Sequence, residues 1–183
     1  MIEIRPATPG DADALCDVHM ESWRVGYRGI FSDELLDSPA FESHRRDIWR
    51  RELWRNDIGS EMFAAVVDGR VLGFGHAGPE RVTTGSQASG RGEVYGFYLH
   101  PDAWGTGIAA PLMRRCETKL RDDGFTCAVL TVLRDNPRAH RFYERAGWSW
   151  TGETALWPGP SFPGGPRCEP VEDVIFGRDL TEA

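Results

Sequence analysis

The chain has 183 residues, 40% of them hydrophobic and 27% charged, and a formal net charge of −7. That length suits a single domain with a full hydrophobic core, and the acidic balance excludes a general nucleic-acid binder, which would carry a basic stripe. No run approaches the roughly 20 apolar residues that cross a bilayer, and the opening MIEIRPATPGDADAL has neither a signal-peptide nor a transit-peptide pattern.

A cytoplasmic protein with no membrane partner is therefore expected. The basic residues are nearly all arginine, Lys119 being the only lysine, which reads as genome composition. Cys16, Cys116, Cys127 and Cys168 lie far apart, and with the scattered histidines they form no zinc-like spacing, so no metal site is expected.

In chain order, residues 2–6 alternate and stop at a proline, predicting a short strand. Thr8-Pro9-Gly10-Asp11 has the form of a helix start, and Ala12, Leu15, His19 and Trp23 follow at helical spacing to face a core. Residues 24–40 are broken by Gly26, Gly29 and Pro39. A second helix is expected over about 40–55, with Phe41, Ile48 and Trp49 on one side and five arginines on a solvated face. Met62–Val67 and Arg70–Ala77 read as strands joined by Asp68-Gly69, a strong hairpin signal. Residues 78–92 form an expected loop, and 93–99 the next strand.

A helix over about 108–122 keeps Ile108, Ala109, Leu112, Met113, Cys116 and Leu120 on one face. Thr126–Leu133 reads as a buried strand, and 137–146 as a short helix with Pro137 at its first turn and Gly147 just past its last. Two strands, 148–153 and 172–180, close the chain around a Pro- and Gly-rich stretch at 156–170. The order β-α-α-β-β-β-α-β-α-β-β describes an α/β protein with a mixed sheet, since the early hairpin rules out a purely parallel one.

The chemistry concentrates at 98–110. A strand ends at Pro101, a turn with Gly105 and Gly107 follows, and a helix begins at once. Such a turn presents unpaired N–H groups and the positive end of a helix to a phosphate. Gly105, Gly107 and Ala110 also satisfy G-x-G-x-x-A, and Asp135 follows the next strand, so a dinucleotide site stays open on this segment alone.

The next helix carries Asn136-Pro137-Arg138-Ala139-His140-Arg141-Phe142-Tyr143-Glu144-Arg145-Ala146-Gly147-Trp148. Here the chain resembles the GNAT (GCN5-related) N-acetyltransferases, whose second cofactor motif is Asn-x-x-Ala-x-x-Phe-Tyr-x-x-x-Gly-aromatic. The segment 97–110 is similar to the family's pyrophosphate motif, with Trp104 standing where that motif has Gln or Arg. The start of the chain and the Trp23…Tyr27-Arg28-Gly29 region add to the likeness.

The resemblance implies a single GNAT-like domain over 1–183, its mixed sheet splayed to hold acetyl-CoA and flanked by helices on both faces. It implies that Phe97, Tyr98 and Leu99 bind the pantetheine through their backbone, that Gly105, Thr106, Gly107, Ile108, Ala109 and Ala110 cradle the pyrophosphate, and that Asn136 contacts the pantetheine arm.

The implied reaction is acetyl transfer to a primary amine of a small molecule or peptide by direct attack in a ternary complex. Tyr143 falls at the family's acid and suits protonation of the leaving thiolate; Glu93, on the strand before the turn, suits the base, with Glu153 and Glu172 as other acids. Trp23, Tyr27, Arg28, Phe31, Trp157, Phe162 and Glu169 border the implied acceptor pocket. A homodimer is compatible with the resemblance. A non-catalytic acyl-CoA sensor is the alternative reading, and Tyr143 and Glu93 weigh against it.

Overall fold

The computed structural model describes residues 1–52, 59–81 and 90–181. Strand β1 (Ile2–Pro6) leads through a 3₁₀ turn at Pro9–Asp11 into helix α1 (Ala12–Gly26). Asp11 fixes this corner. Its carboxylate accepts from the Thr8 N–H at 2.7 Å and hydroxyl at 2.9 Å, and its two oxygens take the Arg5 guanidinium at 2.8 Å each. Leu15, Cys16, Val18, Met20 and Trp23 of α1 are buried, as is His19.

A one-turn helix, α2 (Asp33–Leu36), stands in the stretch expected to be irregular. Ser32 caps it by accepting from the Leu35 N–H, and Leu35 and Leu36 go fully into the core. Helix α3 (Pro39–Glu52) buries Phe41 and Trp49, while Ile48 is half-buried. The part of this expected helix beyond residue 52 lies outside the described residues.

The arginine face of α3 is a correction to the expectation. It is not merely solvated: Arg46 donates to Asp17 and Glu42 at 2.8 Å, Arg50 to Asp13 at 3.0 Å, and Arg24 of α1 reaches Glu42 at 2.5 Å. These pairs tie α3 along α1, and as a network they hold the two helices in one register more firmly than isolated surface pairs would.

The sheet has seven strands in the order β1-β2-β3-β4-β5-β7-β6, with β2 at Glu61–Val67, β3 at Arg70–Pro79, β4 at Gly92–Leu99, β5 at Cys127–Leu133, β6 at Ser149–Trp157 and β7 at Val171–Asp179. The β2–β3 hairpin closes through Asp68-Gly69, with Val67 opposite Arg70. Strand β6 continues past its expected end at 153 as far as Trp157. Of the expected loop at 78–92, residues 82–89 lie outside the described ones; its two ends continue the β3–β4 ladder through Glu80 and Arg91.

Alternation along the strands divides two cores. Ala64, Val66 and Phe74 pack toward α1 and α3, whereas Phe63 and Ala65 pack toward α4 (Ala109–Asp122). Leu112, Met113, Cys116 and Leu120 of α4 are at most 1% exposed. The helix comes so close to β3 that a Cβ on Gly75 would stand 2.5 Å from Cys116 Sγ. Helix α5 (Pro137–Arg145) lies on the same face. Its end is pinned where the Trp148 indole donates to Glu117 at 2.9 Å and Arg178 pairs with the same carboxylate at 3.1 Å.

One seam of the sheet differs from the rest. Among the described strands of the sheet, β4 and β5 alone pair in parallel, with register at Gly92–Ala128 and Glu93–Val129. β5 and β7, by contrast, stay registered over seven pairs from Cys127–Asp179 to Leu133–Asp173. Past Glu93 the sheet therefore splays, as the resemblance implied. No helix among the described residues is long and apolar enough to cross a membrane.

Candidate active site

The splay opens a cleft of about 1410 Å³ that runs through the sheet from the helix α4 and α5 side to the α1 and α3 side. On one wall, β4 bonds to β3 through Gly73–Leu99, Phe74–Tyr98 and Gly75–Phe97, which leaves the other backbone edge of these residues turned to the cleft. That edge offers donors and acceptors at strand spacing, as an added strand requires. The side chains fix the edge from both faces. Phe97 stacks on Phe142 at 5.4 Å between centroids, and Tyr98 packs on His19 at 4.8 Å.

The glycine turn sits at the end of this edge. Gly105 and Gly107 have φ of +77° and +89°, and a Cβ on either would meet nothing within 4 Å. Glycine is used here for its left-handed backbone, which side chains disfavour, rather than for space. Gly105, Gly107 and Ala109 line the cleft. Thr106 instead turns its hydroxyl back to the Ala103 carbonyl at 2.7 Å, Ile108 is buried in the core and Ala110 is exposed. The helix starts at Ala109, one residue later than expected.

Trp104 holds the turn by donating its indole N–H to the Leu99 carbonyl at 3.0 Å. Its ring also carries the Arg138 guanidinium 3.7 Å from its centroid, linking the turn to α5. Asn136 lines the cleft and caps α5, its Oδ1 accepting from the Ala139 N–H at 3.2 Å. The amide N–H₂ of Asn136 is left for other use.

Tyr143 reaches the middle of the cleft from α5 and is 7% exposed. Burial, reinforced by the neighbouring Tyr98 and Cys116, raises its phenol well above the ordinary value, so it keeps its proton at any physiological pH. Glu93 lies where the β4–β5 seam is still closed. Both of its oxygens are engaged: Oε2 accepts from the Arg81 N–H at 2.7 Å and Oε1 from the Arg81 guanidinium at 2.8 Å.

Of the expected acceptor residues, Trp23, Tyr27 and Trp157 line the cleft on the α1 side. Phe31 packs behind them, 6.0 Å from Trp23 and 5.8 Å from Trp157. Arg28 is exposed and pairs with Asp33 and Asp37, Phe162 packs on Phe41, and Glu169 is exposed. Of the other acids, Glu172 pairs with Arg134 at 2.7 Å and Glu153 is exposed.

Asp173 is among the cleft residues that the sequence reading did not single out. Asp173 of β7 faces the cleft opposite Leu133 of β5 and Ala155 of β6, and burial pushes its carboxyl up to about 6. The available signal was slight: a lone acid sharing strand parity with Val171 and Ile175.

The sheet is mixed and seven-stranded, it splays at the parallel β4–β5 seam, and a glycine turn and a buried phenol stand on the opening. The chain belongs to the Acetyltransferase (GNAT) family, whose profile matches residues 16–148. It is 27% identical over 137 residues to the uncharacterized N-acetyltransferase YuaI of Bacillus subtilis, covering 75% of each chain. It is 26% identical over 149 residues to the spermidine N(1)-acetyltransferase of Thermoplasma acidophilum, covering 80% of this chain and 88% of the other.

Solved structures share the fold. The PaiA N-acetyltransferase of Thermoplasma acidophilum in complex with coenzyme A aligns with a TM-score of 0.68 at 22% identity, over 98% of this chain and 99% of that one. The structure of yncA from Salmonella typhimurium with its cofactor acetyl-CoA aligns with a TM-score of 0.68 at 18% identity, over 100% of this chain and 96% of that one.

Proposed function

We propose that this chain is an acetyl-CoA-dependent N-acetyltransferase that acts on a primary amine of a small molecule or peptide by direct attack in a ternary complex. The observation that carries this reading is the convergence of an open β4 edge, a left-handed glycine turn and the buried Tyr143 phenol on one cleft. Family membership and the N-acetyltransferase relatives support it.

The chain's residues divide the work. The edge of Phe97, Tyr98 and Leu99 pairs with the pantetheine amides, the N–H groups of Gly105–Ala110 meet the pyrophosphate, and the Asn136 amide donates to the arm. A backbone N–H near Leu99 meets the carbonyl oxygen as charge develops on it. The amine nitrogen forms its bond to the acetyl carbon, the carbon–sulfur bond breaks, and Tyr143 gives its proton to the sulfur.

Glu93 is the base in this scheme, reached through water because Arg81 occupies both of its oxygens directly. The starting ammonium loses two protons. One passes through Glu93 to solvent and the other replaces the proton that Tyr143 gave, so one proton is released per acetyl group transferred.

The test is a thermal-shift titration with CoA and with NAD(P), followed by thiol release from acetyl-CoA over a panel of amines. Stabilisation by CoA and amine-dependent thiol release are expected. Stabilisation by NAD(P) without any by CoA would overturn the reading, and CoA binding without turnover of any amine would favour a sensor instead.

A further inference from the structure

The acceptor end of the cleft holds a carboxylate that the fold does not use. Among the described residues, the other buried and half-buried carboxylates are each paired with an arginine, as Asp11 is with Arg5, Glu42 with Arg24, Glu80 with Arg91, Glu93 with Arg81, Glu117 with Arg178 and Glu172 with Arg134. Asp173 is half-buried in the cleft wall, and no hydrogen bond or ion pair holds it among the described residues. A carboxylate taken from water without a cation is costly, and binding a cationic ligand there would remove the cost.

The surroundings describe the rest of the ligand. Asp173 is registered with Leu133 and Ala155, and the next inward pair along β6 and β7 is Trp157 with Val171. Across the opening stand Trp23 and Tyr27 of α1, with ring centroids 5.0 Å apart, and Trp157 meets Trp23 edge-on at 6.0 Å. Ala155, with its small side chain, is registered opposite Asp173, and the three aromatic rings line the same cleft.

Among the described residues, α1, β6 and β7 bring no second carboxylate to this wall. The remaining acids of the cleft are Glu61, Glu80 and Glu93, which lie toward the β2–β4 side and face arginines, and Asp135, which is exposed beside Asn136 between β5 and α5. The Arg45 guanidinium, 5.9 Å from the Trp23 centroid, already occupies one approach to that ring, where a second ligand cation would otherwise rest.

We infer that this end of the cleft is a subsite for a primary amine with one positive charge on an aromatic or apolar body, with Asp173 receiving the ammonium group and Trp23, Tyr27 and Trp157 the body. The inference rests on the acetyltransferase reading for what happens to the bound amine, but the binding itself is independent of turnover. Asp173 holds the amine here and Glu93 keeps its role as base, so the two carboxylates separate in their effects. Loss of Asp173 acts chiefly on the amine KM and loss of Glu93 on kcat.

The test uses the full chain saturated with CoA, which supports binding without chemistry, and follows indole fluorescence while phenethylamine or spermidine is titrated. Wild type is expected to bind phenethylamine at least tenfold tighter than spermidine. Asp173→Asn is expected to weaken phenethylamine at least tenfold with CoA binding unchanged within twofold. Spermidine binding as tightly as phenethylamine, or phenethylamine binding unchanged in Asp173→Asn, would overturn the subsite. Thiol release from acetyl-CoA separates the two claims. Phenethylamine bound as expected but never acetylated sinks the acetyltransferase reading and leaves the subsite standing; phenethylamine acetylated with the same KM by wild type and Asp173→Asn does the reverse.

Discussion

The two ends of the cleft are built from different materials. The carrier end is backbone: an unpaired strand edge at 97–99, two left-handed glycines and the first N–H groups of α4, all within fourteen residues of chain. The acceptor end is side chain, drawn from Trp23 and Tyr27 on α1, Trp157 on β6 and Asp173 on β7. A backbone site depends on local conformation, so its chemistry is common to any chain with that turn. A side-chain site is assembled by the fold and is free to change with each substrate.

The largest expected effect falls between the two ends, at Tyr143. Tyr143→Phe keeps the ring among Phe97, Phe142 and Phe176 and removes only the hydroxyl. Stability and CoA binding should change little, while kcat falls by about 10²–10⁴, the usual worth of a positioned acid. Measuring kcat beside a CoA titration checks this, and equal rates in the two proteins would remove Tyr143 from the reaction. Because burial raises the phenol, the wild-type rate should show no alkaline decline from Tyr143 near pH 9.

Next in size is a stability effect at the acceptor end. Burial lifts the Asp173 carboxyl from the ordinary 3.8 to about 6 in the folded chain. The folded state therefore binds this proton more tightly than the unfolded one, and the contribution of Asp173 to stability declines as pH rises from about 4 to about 6. The full shift corresponds to about 3 kcal/mol, and its solvent-facing part reduces that to about 1–2 kcal/mol.

Asp173→Asn should then raise Tm at pH 7–8 and leave it nearly unchanged at pH 4. Of the titratable groups that line the cleft, Tyr27 on α1 interacts with Asp173, and Tyr98 on β4 and Tyr143 on α5 act on Tyr27 in turn; His19 on α1 and Arg45 on α3 line the same cleft. Burial raises the phenol of Tyr27 and, with the neighbouring Arg45, keeps His19 neutral, so neither titrates in that window. A Tm rise of equal size at both pH values would mean that packing, and not the charge, was responsible.

How much of this was legible in the sequence follows the same division. The strand–turn–helix at 93–122 and the helix at 137–145 could be read because glycine, proline and asparagine punctuate them locally. The family motif then implied the splay, which local pattern could not give, since strand divergence is a property of pairing. Asp173 stayed hidden because neither its burial nor its missing arginine is written in residues 172–180. The arginines of α3 likewise read as a solvated face until α1 supplied Asp13, Asp17 and the Arg24 that meets Glu42. Helix α2 is a milder case: Ser32-Asp33-Glu34 carries a capping signal, but one turn is too short to show periodicity.

The carrier end can be broken through its backbone. Gly107→Ala forces a side chain into the left-handed region at a cost of about 1–2 kcal/mol, or shifts the turn to relieve it. Since a Cβ there meets no neighbour within 4 Å, any effect is conformational and not steric. The KM for acetyl-CoA should rise while the Kd for the amine, measured with CoA saturating, stays put. An amine Kd that rose in parallel would show that the two ends are not separate.

The smallest effect gives the finest division, because Asn136 caps α5 and is also proposed to hold the ligand. Its Oδ1 caps α5 at the Ala139 N–H, so Asn136→Ala should cost about 1 kcal/mol of stability. Aspartate caps about as well as asparagine but lacks the amide donor. Asn136→Asp should therefore keep Tm close to wild type and still raise the acetyl-CoA KM by about two- to tenfold, the range for one lost hydrogen bond. If Asn136→Asp left that KM unchanged, the residue would be a cap alone, and the pantetheine arm would be held by the β4 edge without help from α5.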